Sequence, residues 1–318
     1  MRIALSFFFL FVFISSGCYA RPISFEPFAG KFSPQKFKPQ HSAEEYFAQG
    51  QAFLEQGFYR KALLCFGMIK HHFPKETLYS RALYLLGVCY FKQDQPDLAN
   101  KAFSVYLQHP HAEYTEDLFA MKYAIAQSFA RGKRKRVFLL EGFPKLKNAD
   151  EDALHIYDEI LTAFPNQDLG ACALYNKADL LIIKKEFAEA IKTLKKLTLQ
   201  FPLHPLSPEA FVRLSEIYLQ QAQKEPQNVQ YLHLAKLNEE AMKKQHPNHP
   251  RNEVTAANVR AMCEGYVLGL YSTGRFYEKK KKPEAAAIYY TTALESYPET
   301  SLIAKCQKRL LRISKHLS

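Results

Sequence analysis

The sequence has no tryptophan and only 12 glycines in 318 residues. Scarce glycine argues against a turn-rich β fold, because tight β turns draw on residues that tolerate positive φ. Its six cysteines, Cys18, Cys65, Cys89, Cys172, Cys263 and Cys306, include no C-x-x-C pair. Without Cys18 their number is odd, so no disulfide framework is expected, and the other five read as small buried hydrophobes. No phosphate-cradling glycine loop, H-E-x-x-H or G-x-S-x-G occurs. The basic stretch after Gly132 lacks the second glycine and the Ser/Thr of a P-loop. Catalytic residues, a cofactor, a resident metal and a small-molecule substrate are accordingly not expected, and the chain does not read as an enzyme.

Aromatic residues are plentiful, with 25 Phe and 19 Tyr, and 47% of the chain is hydrophobic. That mixture suits helices packed through large side chains. The formal charge is +12. It points toward an anionic surface or an acidic partner, and nucleic acid conflicts with the export signal described next.

Met1-Arg2 opens the chain, Ile3 to Ile14 is apolar apart from Ser6, and Ser15-Ser16-Gly17-Cys18 follows. This is the layout of a secretory signal peptide, whose apolar run is too short to span a bilayer. Two endings stay open. Ser16-Gly17-Cys18 resembles a bacterial lipobox, which would put lipid on Cys18 and leave residues 1–17 as the signal. Cys18-Tyr19-Ala20 would instead allow ordinary cleavage and a soluble product. Residues 18–41 carry Pro22, Pro27, Pro34 and Pro39 among Phe25, Phe28, Phe32 and Phe37. They read as a semi-extended tether of roughly 70 Å reach.

Residues 42–318 repeat one pattern. Its copies are Tyr46, Gly50, Phe53, Ala62, Phe66, Pro74; Leu83, Gly87, Tyr90, Ala99, Phe103, Pro110; Leu174, Ala178, Leu181, Ala190, Leu194, Pro202; and Leu270, Gly274, Tyr277, Ala286, Tyr290, Pro298. A small residue in a first helix faces a ring or Leu in the second, and Pro ends the pair. The pattern matches the tetratricopeptide template. It predicts an all-α, right-handed superhelical solenoid of about six helix pairs. Two pairs are irregular, one with an insertion over residues 132–149 and one with a stretched connection over 224–228. The stripe Leu302, Cys306, Leu310, Ile313 and Leu317 predicts a C-terminal capping helix.

A signal, a lipobox-like Cys18, a Pro-rich tether and helix pairs ending in Phe-Pro or Tyr-Pro together resemble the BamD-type lipoproteins of the outer-membrane β-barrel assembly machine. Residues 58–62 and 109–123 are the most similar stretches. The resemblance implies a non-enzymatic scaffold, lipid-anchored at the periplasmic face of the outer membrane. Its partners would be a β-barrel assembly subunit or unfolded outer-membrane proteins, bound through their C-terminal strand. The alternative is a soluble periplasmic adaptor of the TolA-binding type, serving envelope integrity.

Two surfaces are candidates for binding. First-helix positions Phe47, Gln51, Leu54, Tyr84, Val88 and Phe91 would line a concave, peptide-binding face. Basic residues gather at the turns within pairs. The two strongest runs, Lys133, Arg134, Lys135, Arg136 and Lys279, Lys280, Lys281, Lys282, would form one basic edge. Seven histidines lie near the ends of second helices, where they would meet the negative end of a helix dipole. The pairs His109/His111 and His246/His249 lack a carboxylate or Cys at ligand spacing, so metal is not expected.

Overall fold

The computed structural model describes residues 23–26, 31–34, 39–109, 113–137, 143–225 and 228–317. The signal peptide, Cys18, Pro110 and His111 fall outside the described residues. Within the tether, β1 (Ile23–Glu26) and β2 (Lys31–Pro34) pair antiparallel, with Ile23 opposite Pro34 and Phe25 opposite Phe32. Within the segment read as a semi-extended tether, these residues pair with one another.

The chain divides into two compact units. The first holds residues up to Leu118 together with Arg134–Lys147. It contains α1 (Ala43–Glu55), α2 (Tyr59–His72), α3 (Leu78–Lys92), α4 (Pro96–Leu107) and the start of α5 (Thr115–Ala130). A hairpin of β3 (Lys135–Arg136) and β4 (Lys145–Lys147) packs on α4. The second unit holds Phe119–Lys133 and Asn148–Ser318. After the rest of α5 come α6 (Asp150–Ala163), α7 (Asp168–Ile183), α8 (Phe187–Gln200), α9 (Leu206–Lys224), α10 (Val229–Gln245), α11 (Asn252–Lys279), α12 (Pro283–Ser296) and α13 (Ile303–Leu317). Thirteen helices are thus described: six pairs and a closing helix, as the repeat predicts. Among the described residues no helix is long and apolar enough to cross a membrane.

From α1 to α4 and from α6 to α13 each helix packs on the next, and first helices also touch the first helix of the following pair, α1 on α3, α7 on α9 and α9 on α11. The predicted close crossings are present. A Cβ built on Gly87 would lie 2.3 Å from Phe103 Cε1, and one on Gly50 or Gly274 would lie 2.6 Å from the ring of Phe66 or Tyr290. All three rings are fully buried, each contributing about 1.5–3 kcal/mol of apolar burial. At the C-terminus, Cys306 and Ile313 of α13 close over Tyr290 and Ala293 of α12, flanked by Leu302 and Leu310.

The turns follow two rules. Second helices ending before proline stop at Phe73, Phe164, Phe201, His246 and Tyr297, with φ between −125° and −142°. The proline ring denies these residues the helical region. Five first helices end through a left-handed residue: Gly57, Asp94, Gly132, Lys185 and Lys281. In each, the next N–H bonds back to the carbonyl five residues before it, for example Phe58 to Phe53, Gln95 to Tyr90 and Lys282 to Tyr277. Lys281 sits at φ 57°, where a side chain costs about 1–2 kcal/mol. Lys281→Gly removes that strain against about 0.5–1 kcal/mol of added chain entropy. It is expected to raise stability by about 0.5–1 kcal/mol in urea unfolding.

Two features depart from the sequence reading. The 132–149 insertion is a β-hairpin, its strands too short to show a period of two. Residues 252–269, which the repeat leaves unassigned, form the first half of the 28-residue α11. Their Val259 and Met262 join the core of α7–α10.

Candidate functional site

The first-helix candidates separate on burial. Phe47 is core: its ring meets Phe66 edge-on at 5.8 Å, and the Arg81 guanidinium lies 5.3 Å over it. It is therefore withdrawn from the peptide-binding face. Tyr84 is half-buried in an aromatic cluster, stacked on Tyr114 at 4.7 Å with Tyr106 at 5.6 Å and Phe103 at 6.2 Å. Burial, then Asp117, pushes its phenol pKa up. Gln51, Leu54, Val88 and Phe91 stay half-exposed on α1 and α3, and these two helices pack together. The available face is thus narrower than the spacing predicts, because an i, i+4, i+7 stripe marks a helix face without saying which flank a neighbour covers.

The basic edge is also revised. Arg136 is buried, donating from Nη1 to Asp97 Oδ1 at 2.6 Å and from its backbone N–H to Oδ2 at 2.9 Å. Its Nη2 reaches Gln95 Oε1 at 3.2 Å. Arg136 is a structural cation and leaves the edge. Arg134, Lys135 and Arg136 belong to the first unit, and Lys133 and Lys279 to Lys282 to the second. Lys133, Arg134 and Lys279 to Lys282 are exposed, and Lys135 is half-exposed. Several turn cations rest on rings: Lys61 over Phe58 at 5.0 Å, Lys224 over Phe187 at 4.9 Å and Lys280 over Phe276 at 5.7 Å.

The second unit contains two concavities missed in the sequence. A cleft of about 610 Å³ runs between α10, α11 and the turn after α12. Its floor includes Val259, Cys263 and Tyr297. The charges at its rim are largely paired, Lys243 with Glu239 at 2.6 Å, Arg260 with Glu253, and Glu264 accepting from Ser301 N–H at 2.6 Å. A second pocket of about 330 Å³ lies among α9, α10 and α11, lined by Leu219, Leu232, Met262 and Tyr266. Gly265 and Gly269 border it, and nothing lies within 4 Å of a Cβ placed on either. The spacing of these glycines was the available signal, but no repeat copy covers them.

The histidine reading changes at two positions. His204 Nδ1 accepts the N–H of Leu206 at 3.1 Å, and His249 Nδ1 that of Arg251 at 3.3 Å. Each satisfies a free donor where the next helix starts, rather than meeting the dipole of the helix before. The structure also gathers Asp168, Cys172 and His204, a set that sequence spacing did not bring together. With Nδ1 accepting, His204 Nε2 carries the proton and donates to Asp168 Oδ1 at 2.8 Å. This bonding makes a His–Asp pair and takes up the lone pair a cation would need. Burial raises the Cys172 thiol pKa and pushes Cys89 to about 12, so both stay protonated and poorly nucleophilic.

His246 sits against Ser207 Oγ at 3.1 Å, with the His249 ring 6.2 Å away. Burial, then the neighbouring His249, lowers its pKa. The unfolded chain therefore takes up this proton at higher pH than the folded one. Stability is full above about pH 6.5 and falls as pH drops below it toward the lowered folded value. The thermal midpoint should fall between pH 7.5 and 5.5, roughly the window where an ordinary His titrates, and His246→Gln should reduce that fall.

The tetratricopeptide repeat family matches residues 47–113, and a second family of the same repeat matches 173–199 and 269–300. These spans contain most of each of the four copies read from the sequence. The chain therefore carries tetratricopeptide repeats, which mark a protein-interaction scaffold, and the matched families are not enzymatic. A tetratricopeptide repeat protein from Parabacteroides merdae is similar at 14% identity, covering 85% of this chain and 98% of its own, with a TM-score of 0.37. The C-terminal part of a TPR repeat-containing protein from Cytophaga hutchinsonii is similar at 15% identity, covering 82% and 98%, with a TM-score of 0.33. No match is found among curated proteins.

Proposed function

We propose that this chain is a lipid-anchored, protein-binding scaffold at the periplasmic face of the outer membrane, acting in the assembly of outer-membrane β-barrel proteins. The observation that carries the reading is Ser16-Gly17-Cys18 closing an apolar leader ahead of a repeat body built to hold proteins. Leu54, Val88 and Phe91 would supply apolar anchors to an extended segment of the client, Gln51 a polar contact, and the exposed turn cations would attract an acidic partner surface. The unreactive thiols agree with a holding role.

Two measurements on one preparation test it. The protein is recovered from detergent-solubilised envelopes, and its N-terminal peptide is weighed by mass spectrometry. Acylated Cys18 together with the large β-barrel assembly subunit supports the proposal. An unmodified N-terminus at Arg21, with that subunit cleanly absent, overturns it in favour of the soluble adaptor.

A further inference from the structure

Helix α13 has two faces of opposite character. Its inner face carries Cys306 and Ile313, buried against α12. Lys305, Lys308 and Arg312, spaced i, i+3 and i+7, fall together on the other side and are all exposed. Leu311, 58% exposed, stands one turn from Lys308. No acidic residue occurs in α13. A second set of cations reaches the same end of the second unit. The short turn after α12 makes α12 and α13 antiparallel neighbours, so α13 runs back toward Lys279 to Lys282, which directly precede α12. One bond fixes the approach: Arg309 Nη1 donates to Glu278 Oε2 at 3.2 Å. Glu278 also accepts from the Tyr290 hydroxyl at 3.2 Å and lies 3.9 Å from Arg275, so its carboxylate is occupied within the fold. Lys279 to Lys282 are exposed, with Glu284 in the first turn of α12 the exposed acid beside them. Among the described residues, none of these seven exposed cations takes part in an ion pair.

We infer that this end of the second unit is a contact surface for an anionic lipid leaflet, with Lys305, Lys308, Arg312 and the lysines of 279–282 on its phosphates and Leu311 at its apolar boundary. Charge complementarity selects an anionic occupant, and residue type selects lipid over protein. Six of the seven cations are lysine. Lysine is depleted from protein interfaces, which draw instead on aromatic and Arg anchors in a desolvated centre. Among the described residues of α13, Leu311 is the one exposed large apolar side chain, too little for such a centre. A leaflet demands no shape match and rewards each hydrated, flexible ammonium separately. It also takes an apolar side chain at its boundary. The 15 residues of α13 extend for about 22 Å, enough to lie across several headgroups. The inference stands apart from the β-barrel proposal and from any lipid on Cys18. An acylated N-terminus would hold the protein on neutral and anionic vesicles alike, whereas this face requires charge.

The absence of tryptophan makes a direct test possible. Leu311→Trp in the full chain places a single reporter on the site. Leu203→Trp places one on the exposed α8–α9 turn of the same unit. Emission is followed on adding vesicles of phosphatidylcholine alone or with one-third phosphatidylglycerol, some carrying brominated acyl chains. The expected result is a blue shift and bromine quenching at position 311 on anionic vesicles, none at position 203, and little at 311 on neutral vesicles. Adding Lys305→Gln, Lys308→Gln and Arg312→Gln should weaken the response about 100-fold, or about fivefold per cation. Thermal unfolding should stay unchanged, since these side chains reach solvent. A separate set, Lys279→Gln, Lys280→Gln and Lys282→Gln, should weaken it to a similar extent. An unshifted reporter at 311, an equal shift at both positions or a response undiminished by either set overturns the inference. So does a shift on adding soluble polyglutamate with none on vesicles, which would assign the face to an acidic protein partner.

Discussion

Glu159→Ala is expected to cost about 3 kcal/mol in urea unfolding, a large fraction of a domain's stability. Lys122 is wholly buried on α5, and its ammonium is held by Glu159 Oε2 of α6 at 2.6 Å. Burial lowers the Lys122 pKa, and the bond and charge of Glu159 work against that shift. Without the carboxylate, the folded state must bury an ammonium that has lost its counter-charge or strip its proton. The estimate sits at the low end for a broken buried pair because Glu159 keeps 26% of its side-chain surface in solvent. Lys122→Met, which removes the charge and fills the same space, should leave stability within about 1 kcal/mol or raise it. The double variant should recover most of the loss seen in Glu159→Ala. If Glu159→Ala unfolds at the same urea concentration as the parent, the pair is not holding α5 and α6 together.

Asp97→Ala is expected to act locally and strongly. Asp97 lies in the first turn of α4, with 1% of its side chain exposed, and the Arg136 it holds has 7%. The substitution strands a guanidinium and a backbone N–H and removes a carboxylate from the helix start, a loss of about 3–5 kcal/mol in total. Strand β3 of the hairpin packs on α4, and Arg136 ties it to Asp97 there. The energy should therefore appear as release of the hairpin. Trypsin cleavage within residues 134–147 should accelerate by about 100-fold or more, since the opened population follows the lost free energy. An unchanged cleavage rate would show that other contacts secure the hairpin.

Both pairs were invisible in the sequence, whereas the crossings at Gly50, Gly87 and Gly274 were plain. A crossing leaves a local mark, a small residue at a fixed offset from a ring, and four copies repeat it. The partner of a buried charge is set by tertiary geometry instead. Lys122 and Glu159 are 37 residues apart across the insertion, and Arg136 and Asp97 are 39 apart. In the sequence Arg136 is one of four consecutive cations, and only its bonds to Asp97 hold it inward while Arg134 stays exposed. The same limit explains Phe47, where the helical stripe was legible but the covering contact from Arg81 on α3 was not. Asp168 and His204 were closer to legible, since they stand about one repeat apart.

Helix α11 has a further consequence for how the molecule yields. At 28 residues it extends for about 42 Å as one rod. Its first half packs on α9 and α10, and its second half on α12. A turn separates α10 from α11 as it separates other successive pairs, but α11 carries the contacts to both pairs on one uninterrupted helix, which works against fraying one repeat at a time. The last two pairs should melt as a single block, with amide protons along α11 exchanging in one shared opening instead of a gradient from the C-terminal end.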